Sequence, residues 1–317
     1  MPEAPATPAQ AGAGLASAGL RWHPAVGQAT LRGPLLRLAA DCERAFQVLG
    51  RAFGAAEEQH PTMISAHVLH RIDYFSSFPH QATFPVSLDD DDASLAAFAA
   101  DPFGDERPGG PGGPGGPDGL RLAGLAPVRA VLTPAACYHV YAAHEGEDFA
   151  EASYFTTVAT CFRRERAFEP LVRQWAFRMR EIVCAGTPDE VREFLARARE
   201  LAGLLCRELA LPVSWEPATD SFFRPLSNPK FLLQKVSPTK EEAIFAGRVA
   251  IASVNLHHDH LGSAFGLTRA GHCANTGCLA FGLERWLHAL TSQHGDDPDG
   301  WPAVTAAAER VVAGSIR

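Results

Sequence analysis

TTVATCFRRERAFEPLVRQWAFRMREIV, residues 156–183, opens with β-branched and aromatic residues, breaks at a polar turn around Pro170, and returns through Trp175, Phe177, Met179 and Ile182. Runs of that composition on either side of a proline-containing turn predict two antiparallel strands joined by a loop. Side chains alternate across a strand, so Arg163 and Glu165 share one face and Phe162 and Arg164 the other. On the returning strand Arg173, Trp175, Phe177, Met179 and Glu181 line up together. Where the two faces coincide, fixed cations and carboxylates stand beside a large aromatic. A guanidinium on a rigid strand suits a phosphate, because its planar fork donates two parallel hydrogen bonds and keeps its charge. Cross-strand ion pairing on a solvated sheet accounts for the same residues equally well.

Outward from the hairpin, residues 31–56 place Leu35, Leu38, Ala39, Cys42, Phe46, Leu49 and Phe53 at helical spacing. The segment ISAHVLHRIDYFSSFPHQATF, residues 64–84, predicts a buried helix broken at Pro79. Asp89 to Asp92 precede an alanine-rich run and read as a solvated helix start rather than a metal site. The glycine- and proline-rich stretch at about 104–119 cannot pack and reads as a flexible surface loop. A strand over Arg129–Leu132 enters a helix at Pro134, with Cys137 in its first turn. Thr187 and Pro188 cap and open a long helix. Strands are expected at Val213–Trp215, Phe231–Val236 and Ile244–Asn255. NTGCLAFGLERWLHALTSQHG, residues 275–295, is a small-residue turn running into an apolar helix, and a terminal helix spans Trp301–Val312. The histidines of LHHDH, residues 256–260, lie in no zinc-finger or HExxH pattern and read as a polar turn after a strand, with a metal as the alternative.

The chain has 317 residues, 46% of them hydrophobic, enough to bury a full core in one large domain. A formal net charge of -8 argues against coating nucleic acid, which needs clustered cations. Seven scattered cysteines have no disulfide-framework spacing and point to a reducing, cytoplasmic setting. Residues 1–28 lack the basic start and apolar run of a signal peptide or membrane span and read as a disordered tail, leaving residues 29–317 as the single domain.

The pattern FRRE, a loop, then RQWAFRMRE resembles motif 2 of class II aminoacyl-tRNA synthetases, the seryl type above all, in which an Arg-Gln pair precedes Phe-x-x-x-Glu. Phe177 and Glu181 fit that spacing. GCLAFGLER, residues 277–285, resembles motif 3, and the tail of the 64–84 segment resembles motif 1, the helix, strand and proline of the class II dimer interface. The resemblance implies an α+β fold, a class II synthetase-like core of mostly antiparallel sheet flanked by helices, in a homodimer. It further implies that Arg163 holds the α-phosphate of ATP, that Glu165 contacts the adenine amine, and that Arg285 holds the γ-phosphate. Arg173 and Phe177 would complete the ATP site, with Mg2+ bridging phosphate oxygens.

Cys137, Glu181 and Cys278 come from three segments that converge if this fold is right. Two thiolates and a carboxylate are good zinc ligands, whereas buried free cysteines also serve as small hydrophobes. SVNLHHDHLGSAFG, TGCLAFGLERW and FRMRE resemble zinc-dependent atypical seryl synthetases and, in particular, the truncated amino acid:[carrier protein] ligases. That similarity covers essentially residues 64–295 and implies zinc on Cys137, Glu181 and Cys278, with a fourth position open to the substrate's α-amino group; Cys273 is the rival third ligand. The implied function is activation of a small amino acid to its adenylate and transfer to the phosphopantetheine thiol of an acidic carrier protein. Transfer RNA charging is disfavoured by the short segment standing where the seryl enzymes carry a tRNA-binding arm. An inactive paralogue serving as a sensor or regulatory subunit is disfavoured by intact Arg163, Glu165 and Arg285. The only lysines, Lys230, Lys235 and Lys240, cluster near Arg224, and Arg224 with Lys230 are the expected carrier-docking cations. For Lys235 and Lys240 a sheet position near the nucleotide or Glu241 is the other reading.

Overall fold

A computed structural model describes residues 15–102, 120, 122 and 124–315. The first part of the chain holds β1 (Leu20–His23), β2 (Gln28–Leu31), α1 (Gly33–Arg51), β3 (Ala56–Glu58), β4 (Met63–Ser65), α2 (Ala66–Arg71), α3 (Tyr74–Ser77) and α4 (Asp92–Ala100). Then come β5 (Ala130–Leu132), α5 (Cys137–Ala143), β6 (Asp148–Phe149), β7 (Ser153–Phe162), β8 (Ala176–Gly186), α6 (Pro188–Glu208) and β9 (Val213–Pro217). The last part holds α7 (Pro229–Val236), β10 (Lys240–Phe245), β11 (Val249–His258), α8 (His260–Phe265), β12 (Thr268–Arg269), β13 (His272–Cys273), β14 (Asn275–Gly282), α9 (Leu283–His294) and α10 (Val304–Ser315).

The 156–183 stretch is the expected hairpin. β7 and β8 pair antiparallel with Cys161 opposite Phe177 and Thr157 opposite Glu181. They sit inside a seven-stranded sheet of order β3-β7-β8-β14-β11-β10-β9. Every neighbouring pair in it is antiparallel except β3 with β7. Alternation gives β8 two different faces. Ile182 and Cys184 point into a core closed by α1, α6, α9 and α10, while Val183 and Ala185 join Cys137, Cys278 and the buried side chains of α2, α5 and α8. At the centre of the first core Phe46 stacks on Phe281 with ring centroids 4.2 Å apart, and Trp286 meets them edge-on at 5.0 and 5.8 Å. Burying each of these rings contributes about 2 kcal/mol from area alone. The Trp286 indole N–H donates to Ile251 O at 2.9 Å, so the ring is buried without an unpaired donor.

Several expectations need correction. The tail expected to be disordered through residue 28 is ordered from Leu15: Leu20 pairs with Leu31 and His23 with Gln28, and Leu15, Ala18 and Leu20 are buried, because this short apolar run has a helix layer to cover. The loop expected at 104–119 falls outside the described residues. Residues 64–84 contain β4, α2 and α3 but no strand of the large sheet; the helix, edge strand and proline in that order are α1, β3 and Pro61. Phe231–Val236 is helical, not extended. Asn228 accepts from the Lys230 N–H and Pro229 opens the first turn, a local start signal that outweighs the β-like composition of FLLQKV. The strand expected at 244–255 is two, β10 and β11, broken at Ala246 and Gly247, both with positive φ. The helix expected to start at Pro134 begins at Cys137. Asp91 caps α4 by accepting from the Ser94 N–H, as the aspartate run suggested.

Helix α6 carries a reciprocal cap: Glu190 N–H donates to Thr187 Oγ1 at 3.3 Å, and Thr187 N–H donates to Glu190 Oε2 at 2.7 Å. Thr187→Ala is therefore expected to lower unfolding free energy by about 1 kcal/mol, read as a shifted urea midpoint at unchanged slope.

Candidate active site

The site is built on the face of β8 that carries Phe177, Met179 and Glu181. Among the described residues, Cys137, Glu181 and Cys278 form the one group of three potential metal ligands whose donor atoms all lie within 4.8 Å of one another, and all three are buried. Each comes from a different element. Cys137 opens α5, and the Ala136 and Cys137 backbone N–H groups donate to Glu181 Oε1 at 2.9 and 3.1 Å, which fixes the carboxylate against the start of the helix. Cys278 lies opposite Val183 in β14, and Asn255 of β11 lies opposite Cys278. Cys273 lies on exposed β13 and is not one of the group.

These groups discourage one another's ionisation. The hydrogen bond to Cys278, together with burial and Glu181, pushes the Cys137 thiol well above its usual range. Cys278 is relieved by its bond with Cys137, yet burial and the Glu181 charge still raise it. A bound cation reverses that balance, because it stabilises thiolate and carboxylate together. Two soft sulfurs and one oxygen at this separation fit zinc, with a fourth tetrahedral position left for another donor.

Further along the same strand face the charge preference is opposite. Arg163 follows β7; its Nε donates to Pro134 O at 3.0 Å and its guanidinium lies 5.3 Å from the centre of the Phe177 ring. Arg285 stands in the first turn of α9, donating from Nε to Val172 O and from Nη1 to Ala250 O, each at 3.0 Å. Among the described residues neither guanidinium forms an ion pair. Burial and then the charge of Arg163 pull Arg285 below the usual guanidinium value, and Arg173 adds to the effect. Such a cluster of cations favours an anion. Glu165 and Arg173 pair with each other at 3.3 Å in the loop that joins the strands, beyond the regular hairpin where alternation had been expected to align them.

Lys240 takes the sheet position given as its other reading, in β10, whereas Lys235 lies in α7; the partners of Lys240, Asn255 and His257 escaped sequence reasoning. Half-buried Lys240 donates to Asp220 and Glu242 at 3.0 and 3.1 Å, and against the penalty of burial it holds Asp220 below the usual carboxylate range. Asn255 donates to Cys278 Sγ at 3.4 Å, and His257 Nε2 lies 3.9 Å from the same sulfur. Burial pushes His257 down to about 4, so it is neutral at physiological pH. The available signal was the parity of residues 255 and 257 on a strand preceding the HHDH run. Arg224 lies over the Phe223 ring, and Lys230 pairs with Asp73 at 3.0 Å, both well outside the core beside exposed Leu226, Leu232, Leu233 and Val236.

No family model matches the chain. It is 40% identical over 187 residues to amino acid--[acyl-carrier-protein] ligase 1 of Bradyrhizobium diazoefficiens, covering 56% of this chain and 57% of that protein. It is 27% identical over 190 residues to the type-2 serine--tRNA ligase of Methanothermobacter thermautotrophicus, covering 54% and 36%. The chain thus spans little more than half the length of the carrier-protein ligase it matches. Among solved structures, M. kandleri SerRS in complex with A. aeolicus tRNASec superposes with a TM-score of 0.73 at 18% identity, over 92% of this chain and 58% of that one. Seryl-tRNA synthetase from Pyrococcus horikoshii complexed with ATP superposes with a TM-score of 0.64 at 13% identity, over 98% and 64%. The fold is that of the class II seryl-type synthetase core, a mostly antiparallel sheet flanked by helices.

A polyanion should relieve the repulsion among the arginines. Inorganic tripolyphosphate is expected to raise the melting temperature, with about 2.7 kcal/mol gained at a hundred times its dissociation constant, and added salt should shrink the shift. Arg163→Ala and Arg285→Ala should each abolish the response; an undiminished shift in either variant places the anion elsewhere.

Proposed function

We propose that the chain uses ATP to activate a small amino acid and passes the acyl group to the phosphopantetheine thiol of a carrier protein. The observation that carries this reading is the polarity of the site. One strand face runs from Phe177, beneath a guanidinium with no ion pair among the described residues, to Glu181 in a thiol and carboxylate cluster. An amino acid lying along it with its amino group at the cluster sends its carboxylate toward the arginines, where a triphosphate would bind. Zinc held by Cys137, Glu181 and Cys278 would supply a Lewis-acid position for that amino group. The likeness to a protein named as an amino acid--[acyl-carrier-protein] ligase supports the same chemistry.

In the first half-reaction a carboxylate oxygen of the amino acid attacks the α-phosphorus, and the bond to the bridging oxygen breaks to release pyrophosphate. Arg163 would neutralise charge building on the α-phosphate and Arg285 that on the departing end, assisted by Mg2+ on the phosphate oxygens. Glu165, with Arg173 as its partner, and Phe177 would frame the adenine. In the second half-reaction the thiol sulfur attacks the acyl carbon, the acyl–phosphate C–O bond breaks, AMP leaves and the thiol proton passes to solvent. Most of the catalytic contribution is alignment of reactants that are already activated. We infer a homodimer formed through the α1 and β3 edge, and a cytoplasmic setting that keeps the thiols reduced. Among the described residues no helix is long and apolar enough to cross a membrane.

Pyrophosphate exchange into ATP, screened over the amino acids with zinc measured in the same sample, tests the reading. Exchange with one or a few small amino acids and stoichiometric zinc are expected. Cys278→Ser should lose both, and Arg163→Ala and Arg285→Ala should each lose at least about a hundredfold in exchange while keeping zinc. The absence of exchange with every amino acid would favour a sensor or regulatory role.

For the carrier, Arg224 and Lys230 are the proposed docking cations, beside the apolar outer face of α7. Reversing both charges should slow transfer to an acidic carrier and flatten its salt dependence, with pyrophosphate exchange unchanged. Losing the exposed Lys230–Asp73 pair should itself cost less than about 1 kcal/mol. Equal loss in both half-reactions would move the docking surface elsewhere.

A further inference from the structure

The pairing of β11 with β14 contains one residue too many. Leu256 lies opposite Gly277 and His258 opposite Thr276, so His257 is the extra residue of a β-bulge. The neighbouring His258 has φ 51, a left-handed conformation that a side-chain-bearing residue adopts at a cost. Without the bulge the strand would continue in plain register. Strand alternation puts His257 on the same face as Asn255, toward the thiol and carboxylate cluster, and two residues hold its ring there. Its Nδ1 lies 3.3 Å from Tyr141 OH and 3.2 Å from Thr276 Oγ1, and the Tyr141 ring meets it edge-on with centroids 5.9 Å apart.

Those contacts define the tautomer. A ring nitrogen met by two hydroxyls serves best as their acceptor, which leaves an N–H at Nε2, the atom 3.9 Å from Cys278 Sγ. Asn255 Nδ2 approaches the same sulfur at 3.4 Å. Cys278 thereby faces two N–H donors from one strand, placed on one face by alternation. Donors aimed at a sulfur stabilise it as thiolate and fix the direction of its remaining lone pairs.

We propose that His257 and Asn255 are positioning residues that hold Cys278 as a metal-bound thiolate by donating N–H groups to its sulfur. This rests on Cys137, Glu181 and Cys278 being a metal site, and the experiment separates the two. The full chain is loaded with zinc or Co2+, and zinc affinity is measured by chelator competition alongside the sulfur-to-cobalt charge-transfer absorption. His257→Phe keeps a ring but no donor, and should weaken zinc binding roughly 10- to 100-fold and shift the charge-transfer band. His257→Gln, whose Nε2 can donate from a similar reach, should recover most of both. Asn255→Leu should move the band in the same direction as His257→Phe.

If wild type takes up neither metal, the three-ligand site itself fails, and this proposal with it. If wild type binds zinc but His257→Phe, with a normal melting transition, binds within twofold and keeps the same band, only the positioning role is overturned. Loss of metal in both the Phe and Gln variants, with altered cobalt d–d bands, would make His257 a ligand and also overturn it. Should His257→Phe fail to fold, the Gln and Leu variants decide the matter by the same two readouts.

Discussion

In β8, two adjacent residues are both charged and both buried, and alternation forces them to opposite faces. Arg180 is 1% exposed, held by Glu43 of α1 and by Thr156 Oγ1 at 3.1 Å; Glu181 is 2% exposed, held by the backbone at the start of α5. A slip of one residue would send the guanidinium into the thiols and the carboxylate among the aromatic rings of the helix layer. An uncompensated buried charge costs on the order of 3 to 5 kcal/mol, so two such errors cost about 6 to 10 kcal/mol, comparable to the roughly 5 to 15 kcal/mol that holds a whole domain folded. The register of β8 is fixed by charge as well as by shape. Phe177 beneath Arg163 and Cys278 beside Glu181 follow from it.

That constraint explains why the hairpin was legible. Alternation over 176–183 depends only on the period of a strand, and Glu181 keeps its predicted face. Arg163, Glu165 and Arg173 were harder, because they lie where the strands end and a loop decides direction. The pairing of Glu165 with Arg173 comes from that loop rather than from strand parity. Likewise, FLLQKV reads as a strand by composition, yet Asn228 and Pro229 just before it nucleate a helix.

Other features had weaker traces. Leu20 and Trp22 alternate on one side of a turn and Ala29 and Leu31 on the other, a hairpin signal set in a stretch otherwise rich in alanine and proline. The bulge at His257 leaves no mark in a pattern of residue types, since one extra residue in a strand is visible only against its partner. Asp220 was equally hidden, lying in an irregular segment and acquiring its role from a lysine twenty positions later.

Helix α7 has no buried residue. It is anchored by its inward polar side: Gln234 accepts from the Asp220 N–H and donates to its carboxylate, each at 3.0 Å, and Asp220 in turn holds Lys240 on the sheet. Leu232, Leu233 and Val236 on the outside contribute nothing to that anchorage and are 49%, 64% and 86% exposed. Changing them opens no cavity and unpairs no buried group, so drift in those positions is nearly neutral for folding. The outer surface of α7 can therefore diverge between relatives while Asp220 and Lys240 beneath it stay fixed, and selection can act on what the helix meets separately from what the sheet does.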